Sequence, residues 1–402
     1  MKVTALETVH VGAYPNITFV QVHTDEGLIG LGDTFYAAPT VQTYVHETAA
    51  PLLLGQDPLA IEALWHLVFT RTVQGGLSAR STEIRALSSI DVALWDVKGQ
   101  ALNLPLYRLL GGPTRDSLKV YNTCAGYRYG GRRPPGWTAN YVDGRSEGPY
   151  EDLDAFLTRA DELAEDLLSE GFTAMKIWPF DQFGPATNGQ QISAVDIERG
   201  CEPFEKIRRA VGNRIEIALE MHSVWGLPAA QRIARAVEAY DPLWFEDPVR
   251  MDNLDSLLQF RASTRIPATA SETMSTRWHF REAFEKGALS VVMFDVGWVG
   301  GISEARKIAA MAEAYHLPIA PHDCVGPITL VAAVHLDYAM PNVFIQEVVR
   351  AYLHGVYPNL VTDLPEVKGG TIRPLEGPGL GTRLLPDLRS RPDATVRITR
   401  AS

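Results

Sequence analysis

The order of apolar and polar positions divides the chain into a part with strands before helices and a part in which the two alternate. Residues 17–22 are apolar and β-branched, and the turn residues Asp25-Glu26-Gly27 come shortly after them, which predicts a β-hairpin. Residues 40–110 carry helical patterns up to the chain breakers Gly111-Gly112-Pro113. We therefore predict a small α+β domain over residues 1–115.

From residue 118 onward, eight short apolar runs alternate with amphipathic helical segments. The runs cover residues 118–123, 174–177, 215–221, 243–245, 268–270, 291–294, 319–321 and 343–346. Eight alternating units over about 230 residues favour an α/β fold of the (β/α)8 barrel type. An open doubly wound sheet is the alternative, although the glycine-rich turn that usually follows its first strand is missing after Tyr121. Residues 352–402 are predicted to pack back on the N-terminal domain or to extend freely.

Two connections in the predicted barrel are long. Residues 126–151 are rich in Gly, Pro, Tyr and Arg, and residues 178–195 are polar. Both follow strands, so in a barrel both lie at the face where catalytic groups gather. We expect them to be functional loops, with plain surface insertions as the alternative.

Composition limits the class of protein and its partners. Of 402 residues, 46% are hydrophobic and 21% are charged, as in ordinary globular proteins. The net charge of −11 without a basic stretch argues against nucleic acid as a partner. The apolar runs are far shorter than the ~20 residues of a membrane span, and the first ten residues lack the apolar core of a signal peptide. Cys124, Cys201 and Cys324 form no closely spaced pair, which favours a reduced, cytoplasmic setting.

Six consecutive predicted strands end in an ionisable side chain, and successive members are about 25 residues apart, the length of one strand–helix unit. In chain order they are Glu220, Glu246, Glu272, Asp295, His322 and Glu347. The first three are carboxylates on adjacent strands, which would repel each other without a cation. Oxygen ligands without Cys or His favour Mg²⁺ over Zn²⁺. A set of unrelated strand-end caps is the alternative.

The histidines at these strand ends suggest proton transfer. His222 lies two residues after Glu220, so in a continuing strand both side chains point to one face. His322 and Asp295 end neighbouring strands, where a hydrogen bond would orient the ring and raise its basicity. Purely structural histidines are the alternative for both.

Two more side chains are expected at the same mouth of the barrel. Glu347 would either be protonated and donate a hydrogen bond to a developing oxyanion or form a structural salt bridge. Lys176 ends the second strand and shares a face with Trp178. We expect Lys176 to neutralise Glu220 or to bind an anionic substrate group.

As a set, these motifs resemble the enolase superfamily, in its mandelate racemase/muconate lactonizing enzyme family, and most closely the acid-sugar dehydratases related to D-galactonate dehydratase. The resemblance covers nearly the whole chain. It implies a modified (β/α)7β TIM barrel over residues 116–351, with an N-terminal α+β capping domain (1–115) completed by the C-terminal segment 352–402. It also implies a homo-oligomer, from dimer to octamer.

The resemblance implies a role for each residue that matches the motifs. Mg²⁺ would bind to Glu220, Glu246 and Glu272; the general base would be the pair His322 and Asp295; Glu347 would hydrogen-bond the enediolate, and His222 would be the general acid. Because the capping domain selects the substrate in this family, Tyr14 is a candidate contact, together with Arg128 and Tyr129 from the first long loop.

The sequence departs from the family pattern at two positions. The first metal ligand is usually Asp and is Glu220 here, so the reach to the metal differs by one methylene. Many relatives have Lys-x-Lys on the second strand, where this chain has Lys176 and then Trp178. A racemase needs a base on each face of the α-carbon, so the missing lysine disfavours racemisation and leaves a dehydratase that uses His322 and His222.

The expected activity is therefore Mg²⁺-dependent dehydration of an aldonic-type sugar acid to a 2-keto-3-deoxy acid. An epimerase, racemase or cycloisomerase on the same scaffold is one alternative. A non-catalytic binding or regulatory relative is another, disfavoured because the ligand set and both histidines are all present. A metallohydrolase barrel would need His-x-His on the first strand, which here has Tyr121-Asn122-Thr123.

Overall fold

The structure is a computed structural model that describes residues 1–73, 81–127, 129 and 148–401. Its N-terminal domain contains the antiparallel strands β1 (Val3–Val11), β2 (Ile17–Thr24) and β3 (Ile29–Phe35). Strand β12 (Ala394–Arg400), from the other end of the chain, pairs with β1 and gives the order β12-β1-β2-β3. The C-terminal segment therefore completes this domain, as predicted.

Helices cover one face of this sheet. Those described are α1 (Ala38–Tyr44), α2 (Ala50–Leu53), α3 (Ile61–Val68), α4 (Thr82–Ala101) and α5 (Leu106–Leu109). The longest, α4, begins where the Ser81 hydroxyl accepts a hydrogen bond from the Ile84 N–H. It packs closely on β3, because a Cβ at Gly32 would lie 1.9 Å from the Ser89 carbonyl oxygen.

The second part of the chain is a parallel barrel surrounded by helices. Its strands are β4 (Leu118–Thr123), β5 (Ala174–Ile177), β6 (Glu216–Glu220), β7 (Phe245–Glu246), β8 (Ala268–Ala270), β9 (Val291–Val292) and β10 (Gln346–Val348). Their order is β10-β4-β5-β6-β7-β8-β9, and β11 (Thr371–Ile372) adds antiparallel to β4. The helices are α6 (Asp152–Thr158), α7 (Ala160–Ser169), α8 (Ala194–Val211), α9 (Leu227–Val237), α10 (Leu254–Ala262), α11 (Thr276–Lys286), α12 (Gly301–Ala314), α13 (Pro327–Ala339) and α14 (Arg350–Gly355).

Single bridges close the ring where the seventh strand is expected. Ile319 bridges to Val292 on one side and to Val343 on the other, both in parallel. The predicted run 319–321 is therefore reduced to isolated pairs, while its place in the ring is kept. The barrel and its capping domain confirm the predicted fold class, and the doubly wound alternative is excluded.

Shorter helical turns lie in the connections. The 3₁₀ turns cover Asp181–Phe183, Pro185–Thr187, Glu238–Tyr240, Tyr357–Asn359 and Leu388–Ser390, and π-helical turns cover Val45–Ala49 and Phe69–Val73. In the described ranges, every helix is too short or too polar to cross a bilayer.

Two buried carboxylates of the capping domain cap helices of the barrel. Asp33 accepts hydrogen bonds from the N–H groups of Ile328 and Thr329, both at 2.9 Å, at the start of α13. Asp91 accepts the Ser303 N–H at 2.9 Å in the first turn of α12. Burial raises the pKa of each to about 7, against these hydrogen bonds. The helices that follow the sixth and seventh ring positions are thus joined directly to the cap.

Candidate active site

Three carboxylates meet at the carboxyl ends of adjacent strands. Glu220 and Glu246 are the last residues of β6 and β7, and Glu272 follows β8 by two residues. One oxygen from each lies within 4.8 Å of the others. All three side chains are buried. The parallel register of the barrel brings the predicted trio together, because equivalent strand ends meet at one mouth.

The charge state of this trio is consistent with a cation site. Burial raises the pKa of Glu220 to about 7, and burial with the nearby Glu220 raises the pKa of Glu246 well above its usual range. Among the described residues, Glu220 Oε2 is a buried oxygen without a hydrogen bond. Three hard oxygen donors around one point suit Mg²⁺, whose charge would stabilise the ionised carboxylates against both burial and their mutual repulsion. The acidic residues present therefore fit a bound metal.

Lys176 lies beneath the trio as a buried cation. Its Nζ is 2.5 Å from Glu246 Oε1, 2.9 Å from Glu347 Oε1 and 3.5 Å from Glu220 Oε2. Burial lowers the pKa of Lys176, but Glu246 and Glu347 outweigh burial, so that the pKa lies well above its usual value. The lysine is therefore charged, and it pairs more closely with Glu246 and Glu347 than with Glu220.

Glu347 forms a salt bridge with Lys176, which is one of the two alternatives that the sequence left open. Its carboxylate accepts hydrogen bonds from the Thr123 hydroxyl and from the Asp323 N–H at 2.9 Å, and pairs with Lys176. Burial raises the pKa of Glu347, but the charges of Lys176 and His322 outweigh burial and lower it below its usual value. An ionised Glu347 accepts hydrogen bonds here and does not donate one.

His322 and Asp295 are in contact across neighbouring ring positions. His322 Nδ1 lies 2.7 Å from Asp295 Oδ2, and Nε2 lies 3.5 Å from Glu272 Oε2. The carboxylate fixes the proton on Nδ1, so Nε2 faces the cavity. Burial lowers the pKa of His322, but Glu272, Glu347 and Asp295 outweigh burial and raise it well above its usual value. In its neutral form, with the proton on Nδ1, the ring directs the Nε2 lone pair into the cavity, which is the orientation that proton abstraction needs.

His222 faces the same cavity, but a turn after β6 places it there and not the alternation of a continuing strand. Strand β6 ends at Glu220, and His222 has a left-handed backbone with φ of 46°. The strand alternation argument is therefore wrong. The turn instead holds the His222 N–H 2.5 Å from Glu220 Oε1. The ring is engaged at both nitrogens, with Nδ1 2.6 Å from Asp181 Oδ2 and Nε2 3.1 Å from the Tyr129 hydroxyl.

One cavity of about 450 Å³, a normal size for a small-molecule site, is lined by both histidines and by four of the charged groups, Lys176, Glu220, Glu272 and Glu347. Trp178 forms a wall, with its ring edge-on to His222 at 5.6 Å and 5.2 Å from the ring of Tyr129. Tyr36 and Arg85 reach the cavity from the capping domain. The capping domain, which contributes none of the three carboxylates of the metal site, therefore forms part of the pocket.

Comparisons with known proteins agree with this geometry. Residues 2–111 match the family model of the mandelate racemase / muconate lactonizing enzyme N-terminal domain, and residues 159–388 match the one described as enolase C-terminal domain-like. The chain belongs to the mandelate racemase/muconate lactonizing enzyme family of the enolase superfamily.

Solved structures of similar length support this membership. An enolase of the mandelate racemase subgroup from Agrobacterium tumefaciens is 46% identical, with a TM-score of 0.88 over 100% of this chain and 99% of that one. An enolase protein from the environmental sequences of the Sargasso Sea is 40% identical, with a TM-score of 0.88 and the same coverage. A protein from Zymomonas mobilis ZM4, provisionally named a dehydratase, is 29% identical, with a TM-score of 0.86 over 100% of both chains.

The remaining predicted substrate contacts of this enolase-superfamily chain have different outcomes. Tyr129 and Trp178 line the cavity. Tyr14 lies in the β1–β2 turn, where its N–H bonds to the Val11 carbonyl, and it is not among the lining residues; its role stays a prediction. Arg128 lies outside the described residues.

Sequence reasoning missed several residues at or next to the cavity. They are Tyr36, Arg85, Thr123, Asp181, Trp298 and Cys324. Arg85 had a detectable signal, because it is a cation between the apolar residues Ile84 and Ala86 in the first part of α4; in the structure it is buried. Asp181 had none, since it is one polar residue among many in the loop 178–195.

Proposed function

We propose that this chain is a Mg²⁺-dependent dehydratase of aldonic-type sugar acids. It would remove the proton from C2, next to the carboxylate, and eliminate the C3 hydroxyl to give a 2-keto-3-deoxy acid. The observation that carries the proposal is the pair of histidines, His322 and His222, that line one cavity from opposite sides of a buried carboxylate trio. One ring suits a base and the other an acid.

The substrate carboxylate is expected at the acidic end of the cavity, although the chain is itself acidic. Lys176 supplies a fixed positive charge there, and Glu220, Glu246 and Glu272 would hold Mg²⁺. When bound, the metal supplies the electrostatic stabilisation that an enediolate needs. The chain's residues orient the substrate and move the protons.

The first proton transfer is assigned to His322. Its Nε2 faces the cavity because Nδ1 is held by Asp295, so Nε2 accepts the C2 proton. Glu347 then lies beside the reacting carboxylate as an acceptor paired with Lys176. In this state it orients Lys176 and does not itself donate to the enediolate.

The second transfer is assigned to His222. With a proton on both ring nitrogens, His222 donates the one on Nε2 to the C3 hydroxyl oxygen, the C3–O bond breaks, water leaves, and the ring keeps its proton on Nδ1. The electron pair from the C2–H bond forms the C2–C3 double bond, and the enol tautomerises to the 2-keto acid. Trp178 occupies the position of the second lysine of Lys-x-Lys, which favours elimination over racemisation.

The test is incubation of the purified chain with a library of aldonic and aldaric acids and Mg²⁺, with 2-keto acid formation as the readout. We expect one stereochemical group of acids to give product. In D₂O, His222→Asn should lose dehydration and retain exchange of the C2 proton. Absence of product from every acid would refute the dehydratase, and full turnover by His222→Asn would remove His222 from the acid role. Inversion at C2 without water loss would favour the epimerase.

The cellular setting is also a proposal. The three cysteines are free thiols, which supports a reduced, cytoplasmic compartment. A homo-oligomer of two to eight copies is expected from the family, and light scattering after size exclusion tests it.

A further inference from the structure

Asp181 is a buried carboxylate with a single side-chain partner among the described residues. It begins the 3₁₀ turn Asp181–Phe183 in the loop that follows β5 and is 1% exposed. Its Oδ2 lies 2.6 Å from His222 Nδ1, and its Oδ1 makes no hydrogen bond within the described part of the chain. Within the described ranges, neither helix capping nor a salt bridge to Lys or Arg accounts for this burial.

The contact between Asp181 and His222 resembles the contact between Asp295 and His322 on the other side of the barrel. Asp295 and His322 occupy the sixth and seventh ring positions, whereas Asp181 and His222 follow the second and third. In a ring of eight these pairs are four positions apart and so face each other across the mouth. The cavity thus has a carboxylate-held histidine on each side.

Two other described neighbours of the His222 ring, Glu220 and Trp178, do not form a hydrogen bond with its Nδ1. Glu220 Oε1 is 4.0 Å from Nδ1, beyond hydrogen-bonding distance, and already accepts the N–H groups of Met221 and His222. The edge-on contact with Trp178 limits rotation of the ring. Among the described residues, Asp181 is therefore the hydrogen-bond acceptor that determines which nitrogen carries the fixed proton.

We propose that Asp181 is a positioning residue that holds His222 with Nδ1–H on the carboxylate and Nε2 directed into the cavity. The Tyr129 hydroxyl, 3.1 Å from Nε2, marks the place that the departing C3 hydroxyl takes. The catalytic consequence rests on the proposed dehydratase function. Asp181 does not touch the substrate and acts through the ring of His222.

The experiment compares Asp181→Asn and Asp181→Ala with wild type in two independent readouts. The first is the ratio of dehydration to C2 hydrogen exchange in D₂O. The second is the tautomer of His222, read from ¹⁵N shifts in magic-angle-spinning NMR of histidine-labelled protein and assigned with His222→Gln. Asp91→Asn is the matched control, because Asp91 is an equally buried carboxylate that caps α12 outside the cavity.

We expect the kcat for dehydration to fall about 10²- to 10³-fold in both Asp181 variants, while KM and C2 exchange change less than about threefold. Asp91→Asn should leave the ratio of dehydration to exchange unchanged. At a pH where His222 is neutral, wild type should show the Nδ1–H tautomer that remains after the Nε2 proton has been donated, and Asp181→Ala should show a mixture. Dehydration that stays within about threefold of wild type overturns the proposal, and so does a proportional loss of dehydration and exchange, which would mean a purely structural role.

The tautomer readout separates this proposal from the proposed function. If the chain dehydrates no acid but the Nδ1–H tautomer of wild type is lost in Asp181→Ala, the dehydratase fails and the positioning role stands. If the tautomer is the same in both proteins, the positioning role fails whatever the activity.

Discussion

The guanidinium of Arg85 lies over the ring of Trp298, with 4.1 Å between its central carbon and the ring centroid. The same indole contacts His322, at 5.5 Å between ring centroids, and Tyr36, at 5.9 Å. Arg85 comes from helix α4 of the capping domain, whereas His322 belongs to the barrel. Arg85 neither binds the metal nor transfers a proton in the proposed mechanism, but through Trp298 it connects the capping domain to the proposed base, His322.

This contact predicts the effect of Arg85→Lys. Lysine keeps the charge and loses the planar group that stacks on Trp298, an interaction of about 0.5–2 kcal/mol. We expect kcat/KM to fall about tenfold with little change in melting temperature. Arg306→Lys is the control, since Arg306 lies over Trp95, 5.7 Å away and outside the cavity. Equal kcat/KM in the Arg85 and Arg306 variants would contradict a link to the base.

The carboxylate trio predicts the effect of Glu246→Gln on metal binding. This change removes one charged ligand and also the partner of Lys176 at 2.5 Å, so Mg²⁺ affinity should fall at least about tenfold. Calorimetric titration with Mg²⁺ alone checks this without a substrate. The control is Glu304→Gln, because Glu304 is a fully buried glutamate of α12 that pairs with Arg277 of α11. Unchanged Mg²⁺ affinity in Glu246→Gln would remove Glu246 from the ligand set.

The His322–Asp295 pair predicts which step each variant loses. His322→Asn removes the base, so both C2 exchange in D₂O and product formation should fall by at least about 10²-fold. The profile differs from that of His222→Asn, in which exchange persists. His316→Asn serves as the control, because His316 is exposed and has a φ of 55°, which Asn adopts readily. Retained exchange in His322→Asn would assign the base elsewhere.

His335 predicts a loss of stability in acid. The ring is fully buried in α13, where Nδ1 accepts the Tyr107 N–H at 3.3 Å and Nε2–H donates to the Leu380 carbonyl at 3.1 Å. Burial lowers the pKa of His335 to about 4, below the ~6.5 of the unfolded chain. The unfolded state therefore binds the proton first, and stability falls as the pH drops from about 6.5 towards 4.

The free energy of unfolding, measured with urea at pH 7.5 and at pH 5, checks this prediction. His335 alone should account for about 2 kcal/mol of the difference between the two values. His335→Asn should show a correspondingly smaller difference, although it is less stable at pH 7.5. The same pH dependence in both proteins would show that His335 does not titrate as the burial implies.

The sequence by itself determined the fold class and the strand-end residues. Apolar runs spaced about 25 residues apart specify parallel strands, and parallel strands end at one mouth. A carboxylate at each of those ends, as in Glu220, Glu246 and Glu272, therefore has to meet the others. No long-range detail enters this argument, which is why it could be made from the chain alone.

The tertiary structure determined which loop and capping-domain side chains reach the site and which of its groups are ionised. Asp181 reaches His222 because its loop folds over the barrel, and Arg85 reaches the cavity because α4 packs beneath β3. The ionised state of Glu347 follows from the position of Lys176 at 2.9 Å, and the left-handed turn at His222 follows from hydrogen bonds to Glu220. The contacts of Asp181, Arg85 and Glu347 join residues far apart in sequence, and the turn at His222 depends on a side-chain hydrogen bond; local periodicity encodes neither.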